Sequence, residues 1–259
     1  MPDAAAVKGT RPEGTQSEAD ASRRVREMFT QIAPRYDLLN HLLSLELDRL
    51  WRARVTRLLR PILARPDALV LDLCCGTGDL ALSLARAGKA CVIGADFVHP
   101  MLIRANEKTA ATRGSSTSAQ MHAVRFFEAD ALCLPFADGS FDLVTTAFGF
   151  RNLVDYKAGL REIRRVLKPG ATLAILEFTE PPDNLLGNAY RLYFRKILPR
   201  IGAFVSGDRN AYTYLPASVS RFFAPVDLAF LMKGARYSEV YFRIWTLGAV
   251  ALHTAVRPF

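Results

Sequence analysis

The sequence is short of cysteine, histidine and long apolar runs, and each shortage removes a class of protein. Four cysteines, Cys74, Cys75, Cys91 and Cys133, occur in 259 residues, and no two stand in a C-x-x-C spacing. None pairs in a zinc-like pattern with His41, His99, His122 or His253. A disulfide scaffold and a structural zinc site are therefore excluded, no metal is expected, and the thiols read as reduced, in a cytosolic protein. No run approaches the roughly 18 to 20 apolar residues needed to cross a bilayer. The best, residues 244–256, is broken by Thr246, His253 and Thr254. The first residues have no apolar signal core and carry Glu13, Glu18 and Asp20, so nothing in them directs export. Acids are outnumbered, 25 against 34 bases, for a net charge of +9.

Half of the chain is apolar, enough at this length to bury a large core without covalent staples. Residues 1–22 hold one large apolar side chain before Arg23, Val7, and read as a disordered tail. Residues 23–259 read as a single domain. From Arg23 to Leu63 apolar residues recur at three and four, a helical cap that Pro34 should break in two. From Ala68 the pattern becomes short apolar runs alternating with helical stretches: 68–73, 90–95, 124–128, 143–147 and 171–177. Leu160, Ile163, Val166 and Leu167 mark a crossover helix ended by Pro169-Gly170. This predicts an α/β fold of right-handed βαβ units around a mostly parallel sheet with helices on both faces. A helical insertion over 184–225 follows, then a helix over 226–233 and a closing antiparallel pair, 239–244 and 248–255.

The sharpest local feature is Val70-Leu71-Asp72-Leu73-Cys74-Cys75-Gly76-Thr77-Gly78-Asp79-Leu80-Ala81, a buried strand running through a glycine turn into a helix. Such a turn lets backbone approach a ligand while the helix N-terminus offers unpaired N–H groups. Gly76, Gly78 and Ala81 fit G-x-G-x-x-G/A, equally compatible with a tight turn alone. Asp96, 18 residues after Gly78, ends the second strand, where it suits ribose hydroxyls or caps a helix. Asp130-Ala131 after the third strand suits an adenine edge or a turn. Asp72 favours an amine-bearing ligand such as S-adenosylmethionine over a dinucleotide, whose pyrophosphate it would repel.

These segments, with Leu134-Pro135-Phe136-Ala137-Asp138-Gly139-Ser140-Phe141-Asp142 and Leu167-Lys168-Pro169-Gly170, resemble the class I S-adenosylmethionine-dependent methyltransferases in order and spacing. Three more narrow the resemblance to the ubiquinone/menaquinone biosynthesis C-methyltransferase family: Phe29-Thr30-Gln31-Ile32-Ala33-Pro34-Arg35-Tyr36-Asp37-Leu38-Leu39-Asn40, Phe148-Gly149-Phe150-Arg151-Asn152-Leu153, and the segment 211–222 from Ala211 to Phe222. It covers residues 28–253. The resemblance implies a Rossmann-like seven-stranded sheet and methylation of a ring carbon of a polyprenyl quinol, demethylmenaquinol ahead of a methoxy-benzoquinol. It also implies S-adenosylmethionine contacts at Thr77, Asp96, Asp130 and Ala131, with Asp72, Gly76 and Gly78 in the same loop. At Ala147 some members carry Ser, so only backbone can contribute there.

Carbon methylation needs the neighbouring hydroxyl to lose its proton, so the catalytic candidates are groups that favour phenolate. Arg151 follows the fourth strand and could stabilise it; the competing reading is an ion pair with Asp155. Asn152 stands beside it, while Tyr36, Asp37 and Asn40 could close over the quinol from the cap. Tyr212 and Tyr214 are expected as walls for its ring, and Cys74-Cys75 as small packing residues. The last 77 residues carry ten bases against four acids, and 190–200 mixes aromatic, apolar and basic residues, which suits peripheral docking on an anionic membrane or a solvated helix. A nucleic-acid methyltransferase fits the net charge but lacks an Asn/Asp-Pro-Pro-Tyr pattern after strand four. A non-catalytic lipid-binding module and a dehydrogenase are the other rivals. Oligomeric state, a homo-oligomer included, is left open.

Overall fold

The structure is a computed structural model that describes residues 9–12, 14–44, 46–115, 124–181, 187, 192, 214 and 217–259. Three helices come first: α1 (Glu18–Ile32), α2 (Tyr36–Leu43) and α3 (Leu47–Leu63), with a 3-10 turn, Ala33–Arg35, between the first two. Pro34 lies in that turn, where a missing N–H costs nothing. The expected single break is thus joined by a second, at Glu46, whose φ of 62° starts α3 in a new direction.

The alternating region follows as β1 (Leu69–Leu73), α4 (Asp79–Ala87), β2 (Cys91–Asp96), α5 (His99–Ser115), β3 (Arg125–Glu128), β4 (Phe141–Ala147), α6 (Tyr156–Val166) and β5 (Leu167–Phe178). α7 (Pro225–Gly234), β6 (Ser238–Trp245) and β7 (Val250–Val256) complete it. The seven strands run in the order β3-β2-β1-β4-β5-β7-β6. Pairing is parallel from β3 to β5 and antiparallel for β5–β7 and β6–β7. Successive residues of β1 serve opposite faces. Leu71 and Leu73 pack with Leu160 and Ile163 of α6 and Leu228 and Met232 of α7, whereas Val70 packs with Trp51, Val55 and Leu59 of α3 and Leu80 and Leu84 of α4. A sheet covered on both sides explains why the parallel strands read as unbroken apolar runs.

Two boundaries differ from the sequence reading. β5 begins at Leu167, before Pro169-Gly170, because Leu167 pairs with Phe141 across a register shift at Phe141/Leu143. α1 begins at Glu18, with the Ser17 hydroxyl accepting from the Asp20 amide, inside the segment expected to be a disordered tail. Upstream, the Thr10 amide donates to the Leu153 carbonyl at 2.8 Å. A long-range backbone bond of this kind leaves no trace in local composition. Of the insertion over 184–225, residues 190–200 except Leu192, and Tyr212, lie outside the described residues, as does the docking expectation placed on them. Among the described residues no helix is long and apolar enough to cross a membrane.

Candidate active site

The chain reverses direction across the sheet between β1 and β4, and a crevice opens at the carboxyl ends of such strands. Here it encloses about 720 Å³, its open mouth included, within the roughly 300–1,000 Å³ usual for small-molecule sites. Its walls combine Cys74 and Gly76 after β1, Asp96, Phe97, Val98 and Met101 after β2, Asp130 and Ala131 after β3, and Ala147, Phe148, Gly149 and Asn152 after β4. Phe29 and Tyr36 close it from the cap.

Close backbone approach shapes the floor. A Cβ on Gly149 would stand 2.3 Å from that of Cys74, so the loops after β1 and β4 touch only because glycine is there. Cys74 and Phe148 have φ of 53° and 60°, and strained backbone of this kind clusters where loops must present a ligand surface, whereas Gly76 takes its φ of 55° freely. Gly78 has φ of 83° and no room for a Cβ against Phe126, so it packs the turn on β3 without reaching the cleft.

Asp96 Oδ2 accepts from the Gly76 amide and Oδ1 from the Val98 amide, both at 2.9 Å. The carboxylate is thus fixed on the cleft wall with lone pairs to spare, a geometry that fits two ribose hydroxyls. Burial raises its pKa to about 6, against the pull of the Gly76, Val98 and Phe97 amides. Asp130 Oδ1 accepts from the Leu132 amide at 2.9 Å, so it is both a turn residue and part of the wall. Gly76, Asp96, Asp130, Ala131 and Ala147 thus line one cleft.

Asp72 and Thr77 are not on the wall. Asp72 is buried in β1 behind the loop, its Oδ1 accepting from the Thr145 hydroxyl at 2.8 Å and its Oδ2 left without a hydrogen bond of good geometry. Burial raises its pKa to about 7, opposed by Thr145 and the Ala81 amide, so direct contact between a full negative charge and a ligand ammonium is not what this residue offers. The Thr77 hydroxyl is bonded to Asp37 and, at 2.9 Å, to Lys108 Nζ.

The catalytic candidates divide likewise. Tyr36 packs beside Gly76 on the cleft wall, its Cε1 3.7 Å from where a Cβ there would be, and Asn40 hydrogen-bonds to it. Asn152 Oδ1 accepts from the Tyr214 hydroxyl at 3.0 Å, and Tyr214 also meets the Thr10 hydroxyl at 3.1 Å. Arg151 is behind the wall. Its Nη1 is 3.1 Å from both Glu177 oxygens, and it also donates to the Phe148 carbonyl and, at 3.4 Å, to Ser218 Oγ. The competing reading, an ion pair with Asp155, does not hold, since Asp155 caps α6 through the Ala158 amide. A guanidinium 5% exposed requires a buried counter-charge, and Glu177 at the end of β5, 1% exposed, supplies it. Glu177 escaped the sequence reading, although its place at the same sheet edge was a usable signal. Cys74 and Cys75 have thiols pushed well up by burial, which suits packing and not nucleophilic chemistry. Among the described residues no cluster of His, Cys, Asp and Glu could hold a metal.

Comparison with known proteins agrees with this geometry. A solved methyltransferase from Thermotoga maritima superposes with a TM-score of 0.62 over 89% of this chain and 98% of its own, at 18% identity, and shares the fold. Demethylmenaquinone methyltransferase of Thermus thermophilus is 50% identical over 89% of this chain and 100% of its own length. The Deinococcus radiodurans enzyme of the same name is 47% identical over 90% and 92%. The model of the ubiE/COQ5 methyltransferase family matches residues 17–257, and the chain belongs to that family.

Proposed function

We propose that the chain methylates a ring carbon of demethylmenaquinol, with S-adenosylmethionine as methyl donor. The observation that carries this reading is one cleft lined by two unlike kinds of group: the carboxylates Asp96 and Asp130 with the backbone of the glycine loop, and the rings of Phe29, Tyr36, Phe97 and Phe148. The carboxylates and backbone suit a nucleoside and the rings a flat, apolar quinol. The names of the relatives support the naphthoquinol over the benzoquinol.

S-adenosylmethionine supplies an electrophilic methyl group. The ring carbon attacks it as the adjacent hydroxyl loses its proton, the sulfur–methyl bond breaks to leave S-adenosylhomocysteine, and loss of the proton on the attacked carbon with return of one to the oxygen gives the methylated quinol. The chain's work is then alignment and control of that proton. In this reading Gly76, Asp96, Asp130, Ala131 and the backbone of Ala147 hold the donor, Gly78 shapes its loop, and Asp72 and Thr77 support that loop from behind. Tyr36 and Asn152 face the quinol, and Asn152, whose Oδ1 is occupied by Tyr214, offers its amide N–H groups to the ring oxygen. Arg151, paired with Glu177, acts by holding the Phe148 carbonyl and hence the wall, instead of touching phenolate.

Methyl transfer from labelled S-adenosylmethionine to chemically reduced demethylmenaquinol tests the proposal, with a methoxy-polyprenyl-benzoquinol and both oxidised quinones run beside it. Product from the naphthoquinol but not from its quinone is the expected result. Donor binding with no product from either quinol would sink it.

A further inference from the structure

Tyr36 is gripped from both sides by one face of α5. Arg104 donates to the Pro34 carbonyl at 2.6 Å, and Lys108 Nζ pairs with Asp37 Oδ2 at 2.8 Å. Four residues separate the two bases, which places them one turn apart on the same helix face, while Pro34 and Asp37 flank Tyr36 on the chain. Lys108 reaches further than the cap. It donates to Thr77 Oγ1 at 2.9 Å and pairs with Asp79 Oδ1 at 2.6 Å, and Arg52 of α3 lies 3.4 Å from the other oxygen of Asp79. One ammonium therefore joins the glycine loop to the residue after Tyr36, and Gly76 and Tyr36, the preceding residue of each partner, stand side by side on the cleft wall.

From this geometry we infer that Arg104 and Lys108 are positioning residues that hold Tyr36 in register with the donor loop, resting on the reading of Tyr36 as a quinol-facing group. The Lys108, Asp37 and Asp79 side chains are 27%, 30% and 27% exposed, so the cluster is partly shielded from the screening that makes most surface pairs weak. Without Lys108, Asp37 and Asp79 lose a cation they share. Asp37 is then held to the loop by the Thr77 hydroxyl without the ammonium, which loosens the hold on Tyr36.

The test compares Lys108→Met, Lys108→Arg and Arg104→Gln in the full chain. Steady-state methylation of demethylmenaquinol is measured, with S-adenosylhomocysteine affinity determined by calorimetry without quinol. Lys108→Met is expected to lower kcat/KM for the quinol by about tenfold or more, the scale of a lost charge-assisted hydrogen bond. S-adenosylhomocysteine affinity should stay within about threefold, and Lys108→Arg should recover most of the loss. Arg104→Gln, which alters no contact to the glycine loop, should lower quinol kcat/KM by about threefold or more with donor affinity unchanged. In a Tyr36→Phe background both losses should shrink to about twofold or less, because the effect runs through the placement of that hydroxyl. Losses that persist undiminished in that background, or a donor affinity that falls as far as quinol kcat/KM, would overturn the inference. Amide exchange over residues 34–40, read without any quinol, should rise in Lys108→Met and Arg104→Gln, and no change in either also overturns it. Failure of the wild-type chain to methylate any quinol would instead overturn the functional reading.

Discussion

On the proposed reading, the donor and acceptor ends of the cleft are built by opposite means. The donor end is backbone: the amides of Gly76 and Val98 fix Asp96, and glycine at 149 lets two loops touch. The acceptor end is side chain on side chain: Asn152 with Tyr214 and Thr10, Arg151 with Glu177 behind the wall, and Asp37 tied to the donor loop through Thr77 and Lys108. The first should break when atoms are added and the second when they are removed.

The largest effect is expected at the buried ion pair. Glu177→Ala leaves the Arg151 guanidinium without its counter-charge, and removing one partner of such a pair costs about 3–5 kcal/mol. Urea unfolding reads this directly. An apolar replacement of both, Arg151→Met with Glu177→Leu, should be less destabilising than Glu177→Ala alone, because no charge is then stranded. A double variant as unstable as the sum of its parts would mean that the acceptor end depends on something other than this pairing.

A swing of about 2–4 kcal/mol between pH 4.5 and 8 is expected from Asp72. Burial holds its folded pKa at about 7, above the ordinary 3.8 of an unfolded aspartate. Between those values the native chain keeps a proton that the unfolded chain has lost, so stability contributed by this group falls as pH rises and levels off above 7. Asp96, at about 6, adds in the same direction over a narrower window. Asp72→Asn retains the acceptor that Thr145 needs and should flatten the dependence, gaining on the wild type at pH 8. Parallel pH profiles for the two proteins would show that Asp72 is ionised throughout.

Adding one methyl group tests the donor end. Gly149→Ala forces a Cβ to within 2.3 Å of Cys74 Cβ, and overpacking of this kind costs about 1–3 kcal/mol. Donor affinity should fall with stability, because the loop after β1 must retreat. Cys74→Gly in the same chain removes the clashing atom and relaxes a φ of 53°, so calorimetry should show affinity partly restored. At Gly139, where a Cβ would meet nothing closer than 4.0 Å, the change to Ala should leave donor affinity alone.

The same contrast decides what the sequence revealed. Strands β1 to β4, the glycine turn, Asp96 and Asp130 were legible because each is a local pattern: an apolar run, a turn residue, a carboxylate at a strand end. Arg151 was legible as an important position but not as half of a buried pair, since Glu177 lies 26 residues away and only sheet order brings it near. Thr77 was implied as a ligand contact by the family resemblance alone, and no local pattern announced that its hydroxyl bonds Asp37, 40 residues earlier. Lys108 gave no signal at all, being one base in a helix of mixed charge. The ordered start at Thr10 and Glu18 escaped for a related reason: low apolar content predicts disorder, whereas one backbone bond to Leu153 and a Ser17 cap hold the segment.

The smallest expected effect is the most selective. Tyr214→Phe removes the hydroxyl that occupies Asn152 Oδ1, a neutral hydrogen bond worth about 1 kcal/mol. The amide of Asn152 can then turn its oxygen toward the quinol, where a donor is wanted. KM for the quinol should rise by about three- to fivefold, with donor affinity and thermal stability close to those of the wild type. Thr10→Val keeps the Tyr214 bond to Asn152 and loses only the outer link at 3.1 Å, so its effect should be smaller than that of Tyr214→Phe. Were Thr10→Val the more damaging, the N-terminal segment would itself form part of the acceptor end, and the boundary between the two regions would have to be drawn one residue layer further out.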